Sequence, residues 1–193
     1  MNLTSKRKSL KKLYSPLAIV FVKIGLSPNQ ISILSLLFGV LAAYLYLKGN
    51  YLLAALSIIF TAIFDLMDGV VAVKTKKMTK FGAVFDWISD KTIDTLVIGA
   101  IGLTYANPYI TIFAIMGSLL NTFIKPVVYS EIGYGARVKG KIESSLEGVG
   151  VFGRPESGIT VVLFSVLHYF NFFGFINLYL CVIIIAVMTN FSL

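Results

Sequence analysis

The stretch Phe64–Asp94, FDLMDGVVAVKTKKMTKFGAVFDWISDKTID, holds all five aspartates of the chain: Asp65, Asp68, Asp86, Asp90 and Asp94. It is embedded in long apolar runs. A carboxylate at membrane depth is costly and needs a partner. Several together need a shared one, and a divalent cation suits clustered carboxylate oxygens. Tyr51–Val73 reads as one apolar helix and Gly82–Leu103 as the next, with Lys74–Lys80 as the turn. An antiparallel hairpin centred near Lys77 sets Asp65 level with Asp90, and Asp68 level with Asp86 and Trp87. Spacings of three and four put Asp65 and Asp68 on one helical face, and Asp86, Asp90 and Asp94 on another. Four carboxylates can therefore meet at one depth. Asp65 stands roughly 21 Å along its helix from Tyr51 at 1.5 Å per residue. In a hydrocarbon layer about 30 Å thick, that is the half nearer the Lys74–Lys80 turn.

The composition fits this setting. Hydrophobic residues make up 57% of the 193 positions and charged ones only 13%, which excludes an ordinary soluble domain. The expected fold is all-α: a polytopic membrane protein with six transmembrane helices, preceded by an interfacial amphipathic helix over 1–26. Lys6, Arg7, Lys8, Lys11 and Lys12 cluster there, and Leu10, Leu13, Tyr14 and Leu17 share a face. Ser15-Pro16 is expected to break or restart that helix. Ser27-Pro28-Asn29-Gln30 is a capping box opening the first span, which runs to about Leu47. The other spans are expected at 51–73, 82–103, 108–124, 157–171 (beginning at Arg154 or Pro155) and 174–190. Residues 125–156 form the longest polar connection, with Lys125, Arg137, Lys139, Lys141, Arg154 and all four glutamates. Together, 27–193 is read as one six-helix domain.

Cationic residues concentrate in the N-terminal segment, the 74–80 turn and the 125–156 connection, whereas the opposite turns carry only Lys48. The positive-inside rule then places both termini and the aspartates on the cytoplasmic side. The net charge of +8 is read as topology and attraction to anionic lipid, not as nucleic-acid binding. Cys181 is alone in an apolar run, so a disulfide or a cysteine zinc site is excluded. No aspartate lies near His168 in sequence, and it reads as a membrane-interface residue. The N-terminus lacks the compact apolar core of a cleavable signal.

Asp65, Asp68, Gly69 and Ala72, followed by Gly82, Asp86 and Asp90, resemble the signature of the CDP-alcohol phosphatidyltransferases, D-x-x-D-G-x-x-A-R, eight residues, then G-x-x-x-D-x-x-x-D. Seven fixed positions match over 26 residues; the family arginine is Val73 here. The resemblance implies transfer of a phosphatidyl-type group from a CDP-linked lipid to the hydroxyl of a small polar acceptor, releasing CMP. It implies Mg2+ or Mn2+, two ions, held by Asp65, Asp68, Asp86 and Asp90, with Asp90 as catalytic base. Gly69, Ala72 and Gly82 would line the CDP site, Lys74 or Lys77 would substitute for the missing arginine, and Asn29 either touches the nucleotide or only caps its helix. Asp94 lies outside the signature, and its place one turn beyond Asp90 suits a supporting role paired with Lys91. Gly153-Arg154-Pro155-Glu156 resembles a segment of members that use inositol phosphate, with Lys125, Arg137 and Arg154 as the acceptor's phosphate site. Glycerol phosphate and serine stay open as acceptors. A homodimer is implied by the family alone. The rival readings are a divalent-cation transporter, which needs polar groups through both halves of the bilayer, and a non-catalytic lipid-binding scaffold, which does not need this spacing.

Overall fold

The computed structural model describes residues 7–132, 137–138, 141–142, 151–171 and 177–192. They form seven helices: α1 Arg7–Ile24, α2 Pro28–Leu47, α3 Tyr51–Lys74, α4 Lys80–Tyr105, α5 Pro108–Ile132, α6 Arg154–Phe170 and α7 Leu178–Phe191. A two-residue antiparallel ladder pairs Arg137–Val138 with Lys141–Ile142. The described fold is thus all-α, as the hydropathy pattern requires.

Local chemistry sets the helix ends. Ser27 caps α2, and its backbone N–H donates to Gln30 Oε1 at 2.8 Å, closing the capping box. Thr79 Oγ1 accepts from Gly82 N at 2.9 Å and starts α4. Pro155 occupies the first turn of α6, where its missing N–H costs nothing. Asn177 Oδ1 accepts from Leu180 N at 3.1 Å and starts α7.

Two expectations are corrected. Pro16 lies inside α1 and does not break it. An internal proline costs a helix about 3 kcal/mol, but α1 is held against α3 beyond that point. There Ala18 is fully buried, and the Phe21 ring meets Phe64 edge-on at 6.0 Å. The helix α5 also continues past Ile124 to Ile132, so the first part of the 125–156 connection is helical. Between Ile124 and Gly133 no glycine occurs, and the helix runs through Pro126 despite its local preference to interrupt.

The α2 helix packs on α3 and α4, α5 packs on α4 and α7, and α6 closes against α3 and α7. The face that α2 turns inward is a stripe of small residues, Ser32, Ser35, Gly39, Ala42 and Ala43, all buried. Such stripes let helix backbones approach closely where no hydrophobic effect drives association. A Cβ on Gly39 would lie 2.5 Å from Ile93 Cγ1, so α4 seats directly on that glycine. Outward, the same helices expose Leu37, Leu41, Leu53, Leu56, Leu103 and Ile112. Polar groups within and large aliphatic groups without is the arrangement lipid favours, not water. The α2 and α3 helices are each long and apolar enough to cross a membrane.

Candidate active site

The α3–α4 hairpin turns at Thr75–Thr79 with Lys76 in the left-handed region (φ 56°), and it brings the two halves of the aspartate motif together. One carboxylate oxygen from each of Asp65, Asp86 and Asp90 lies within 4.8 Å of the others. Three of the four expected carboxylates therefore converge. The fourth, Asp68, is buried, and its Oδ2 accepts from Ser32 Oγ on α2 at 2.6 Å. That hydroxyl ties α2 to the motif. Nothing in its sequence neighbourhood pairs it with Asp68, 36 residues away.

Arg154, the first residue of α6, reaches into the same cluster. Its Nη1 lies 2.8 Å from Asp90 Oδ1 and 3.1 Å from Asp65 Oδ1, and its Nε donates to Asp94 Oδ1 at 3.3 Å. Asp94 Oδ2 in turn takes Lys91 Nζ at 2.7 Å. The pairing of Asp94 with Lys91 follows from their spacing on one helix. The reach of Arg154 across to α3 and α4 does not, because it depends on α6 packing beside α3.

The remaining expected residues sort by location. Asn29 Oδ1 stands beside Gly82: a Cβ there would come within 3.0 Å of it and 3.1 Å of Thr79 Oγ1. Asn29 therefore faces the start of α4, while the cap of α2 is made by Ser27 and Gln30 alone. Gly69 and Ala72 are half-buried on the α3 face following Asp68. Val73 is 44% exposed, and Lys74 ends α3 at the surface. The side chains of Lys125 and Arg137 lie outside the described residues.

The donor set fits a hard divalent cation. Three carboxylate oxygens gathered from two helices suit Mg2+ or Mn2+. The guanidinium lying on two of them shows that the cluster already calls for positive charge there.

The fold, the hairpin and the carboxylate cluster together define a class. The description CDP-alcohol phosphatidyltransferase matches residues 25–191, and the chain belongs to that family. It is accordingly a membrane-associated enzyme of phospholipid biosynthesis. Among its relatives is the archaetidylinositol phosphate synthase of Pyrococcus horikoshii, 26% identical over 170 residues, which are 88% of this chain and 83% of that protein. The CDP-diacylglycerol–glycerol-3-phosphate 3-phosphatidyltransferase of Pectobacterium atrosepticum is 30% identical over 156 residues, 72% and 85% of the two chains. The fold is that of the phosphatidylinositol phosphate synthase of Mycobacterium tuberculosis. The form with CDP-DAG bound superposes at a TM-score of 0.71, with 22% identity, over 94% of this chain and 89% of that one. A complex of that enzyme with manganese and citrate gives a TM-score of 0.69 at 23% identity, over 91% and 82%.

Proposed function

We propose that the chain transfers a phosphatidyl-type group from a CDP-linked lipid to the hydroxyl of an inositol phosphate, releasing CMP. The chemistry rests on family membership. The observation that supports the acceptor is Arg154, a guanidinium placed at the carboxylate cluster by the first turn of α6. An acceptor that carries phosphate would otherwise be repelled there, and guanidinium binds phosphate bidentately. The names of the Pyrococcus and Mycobacterium relatives point the same way. Glycerol phosphate, named for the Pectobacterium relative, would use the same cation.

Asp65, Asp68, Asp86 and Asp90 would hold Mg2+ or Mn2+, a set large enough for two ions. When bound, the metal neutralises charge on the diphosphate of the CDP-linked lipid and on departing CMP. Asp90 accepts the proton of the acceptor hydroxyl at its carboxylate. Asn29, Gly69, Ala72 and Gly82 leave the nucleotide room against the backbone, and Lys74 takes over from the absent arginine at Val73. Arg154, with Lys125 and Arg137, holds the acceptor's phosphate.

The whole of 27–193 acts as one domain of six spans, with 1–26 as an interfacial helix. Both termini and the site face the cytoplasm, where CDP-linked substrates and polar acceptors meet. A homodimer is part of the same reading. The transporter alternative is disfavoured by the opposite end of the bundle, where the Tyr46 and Ser165 hydroxyls, and those of Tyr105 and Tyr51, bond to one another.

The test is purified protein with a CDP-linked lipid, one acceptor at a time, and CMP release as the readout. Chelation should abolish turnover, and Mg2+ or Mn2+ should restore it. Inositol phosphate should outperform glycerol phosphate and serine. Full activity in excess chelator refutes the metal chemistry, and equal rates with serine refute the phosphate-bearing acceptor.

A further inference from the structure

Arg154 does two things that conflict. Its Nη1 occupies Asp65 and Asp90, two of the three carboxylates that converge as a metal site. Its Nε rests on Asp94, which is not among those three, and Asp94 is itself fixed by Lys91 at 2.7 Å. The guanidinium therefore has one set of contacts on the metal cluster and another just outside it.

We propose that Arg154 is a built-in counter-cation of the metal site, tethered by Asp94, and that a divalent ion enters by displacing Nη1 from Asp65 and Asp90 while the Nε contact to Asp94 remains. This inference rests on the proposed metal role of those carboxylates and deepens it. Without metal, the arginine offsets repulsion among aspartates that are largely shielded from water. With metal, the carboxylates are neutralised, and Nη1 is released beside the cluster, where an acceptor phosphate would take it. Metal loading thus precedes acceptor capture. Asp94, outside the family signature, is a positioning residue: it keeps the displaced arginine within reach. The chain spends Lys91 to hold Asp94 in place, which a simple surface pair would not require.

The experiment measures binding of Mn2+ alone, by electron paramagnetic resonance, to the full chain in detergent. It compares wild type with Arg154→Gln, Arg154→Lys and Asp94→Asn. Removing the competitor in Arg154→Gln should tighten Mn2+ binding roughly tenfold or more, the scale of a lost charge-assisted contact. Arg154→Lys should fall between Gln and wild type, because it keeps the charge without the fork. Asp94→Asn, which leaves Arg154 to rest on Asp65 and Asp90 alone, should weaken Mn2+ binding. A purely structural arginine gives the opposite sign, because its loss would loosen the cluster and weaken metal binding. Equal or weaker Mn2+ binding in Arg154→Gln, or equal or tighter binding in Asp94→Asn, overturns the inference. If Arg154→Gln yields no folded protein, Arg154→Lys decides: tighter Mn2+ binding than wild type supports the inference, and equal or weaker binding overturns it. Absence of Mn2+ binding in the wild type overturns this inference together with the metal site, whereas equal binding in all chains overturns this inference only.

Discussion

The two ends of the bundle solve the same problem differently. At the end opposite the aspartates, Tyr105 Oη donates to Tyr51 Oη at 2.8 Å, and the His168 ring meets the Tyr51 ring edge-on with centroids 4.6 Å apart. Nearby, the Tyr46 and Ser165 hydroxyls share a hydrogen bond of 2.6 Å. These side chains tie α2, α3, α4 and α6 together with no formal charge between carboxylate and base. At the aspartate end, two helices bring acids together and one arginine from a third spans them. Neutral polar groups that bond to each other are inexpensive in a bundle core and add modest stability. Acids held against their own repulsion are costly, and a chain keeps them for a purpose. The comparison separates architecture from chemistry without any bound ligand.

Substitutions at each end test that separation. The largest effect is expected for Asp90→Asn, which keeps size and hydrogen bonding but removes the proton acceptor. General-base loss costs about 10²–10⁴ in rate, so CMP release should fall by that order while binding of the CDP-linked lipid survives. Native turnover in this variant would move the base elsewhere and break the contrast at its strong end. Next comes Arg154→Gln. Loss of a charged contact to phosphate should raise the acceptor KM about ten- to a hundredfold, on the scale of 1.5–3 kcal/mol, and leave the KM for the CDP-linked lipid nearly unchanged. Arg154→Lys should rescue only part. Steady-state kinetics in both substrates would show whether the two KM values move together, which would assign the arginine to the cluster's stability alone. The smallest effect belongs to the other end. Tyr105→Phe removes one neutral hydrogen bond, about 0.5–1.5 kcal/mol. A small fall in Tm with unchanged kcat is expected, and a loss of activity would mean that the far end also serves the chemistry.

Much of this is legible in the residues. The capping box at Ser27 and Gln30, the 74–80 turn and the start of α6 at Arg154 follow from local chemistry, and local chemistry is what a sequence displays directly. The convergence of Asp65, Asp86 and Asp90 is legible too, because a short hairpin fixes their register. Contacts made between distant helices are not. Ser32 with Asp68 and Arg154 with Asp94 join residues 36 and 60 positions apart, and nothing in either neighbourhood announces the other. The same limit explains Pro16: its local preference is to interrupt α1, and packing of Ala18 and Phe21 on the far side of it prevails. A contact of the same long-range kind sets His168 in a ring cluster with Tyr51 and Tyr105.

The separation of Asp94 and Arg154 by 60 residues also has a meaning in time. Chains are made from the N-terminus at about 5–20 residues per second. The aspartate hairpin, complete at α4, therefore exists for roughly 3–12 seconds before its arginine has been synthesised. During that interval Asp65 and Asp90 share no guanidinium, and water or a free divalent ion shields them. The nascent hairpin is thus at its most demanding before α6 arrives, and the last third of the chain supplies the charge that completes it.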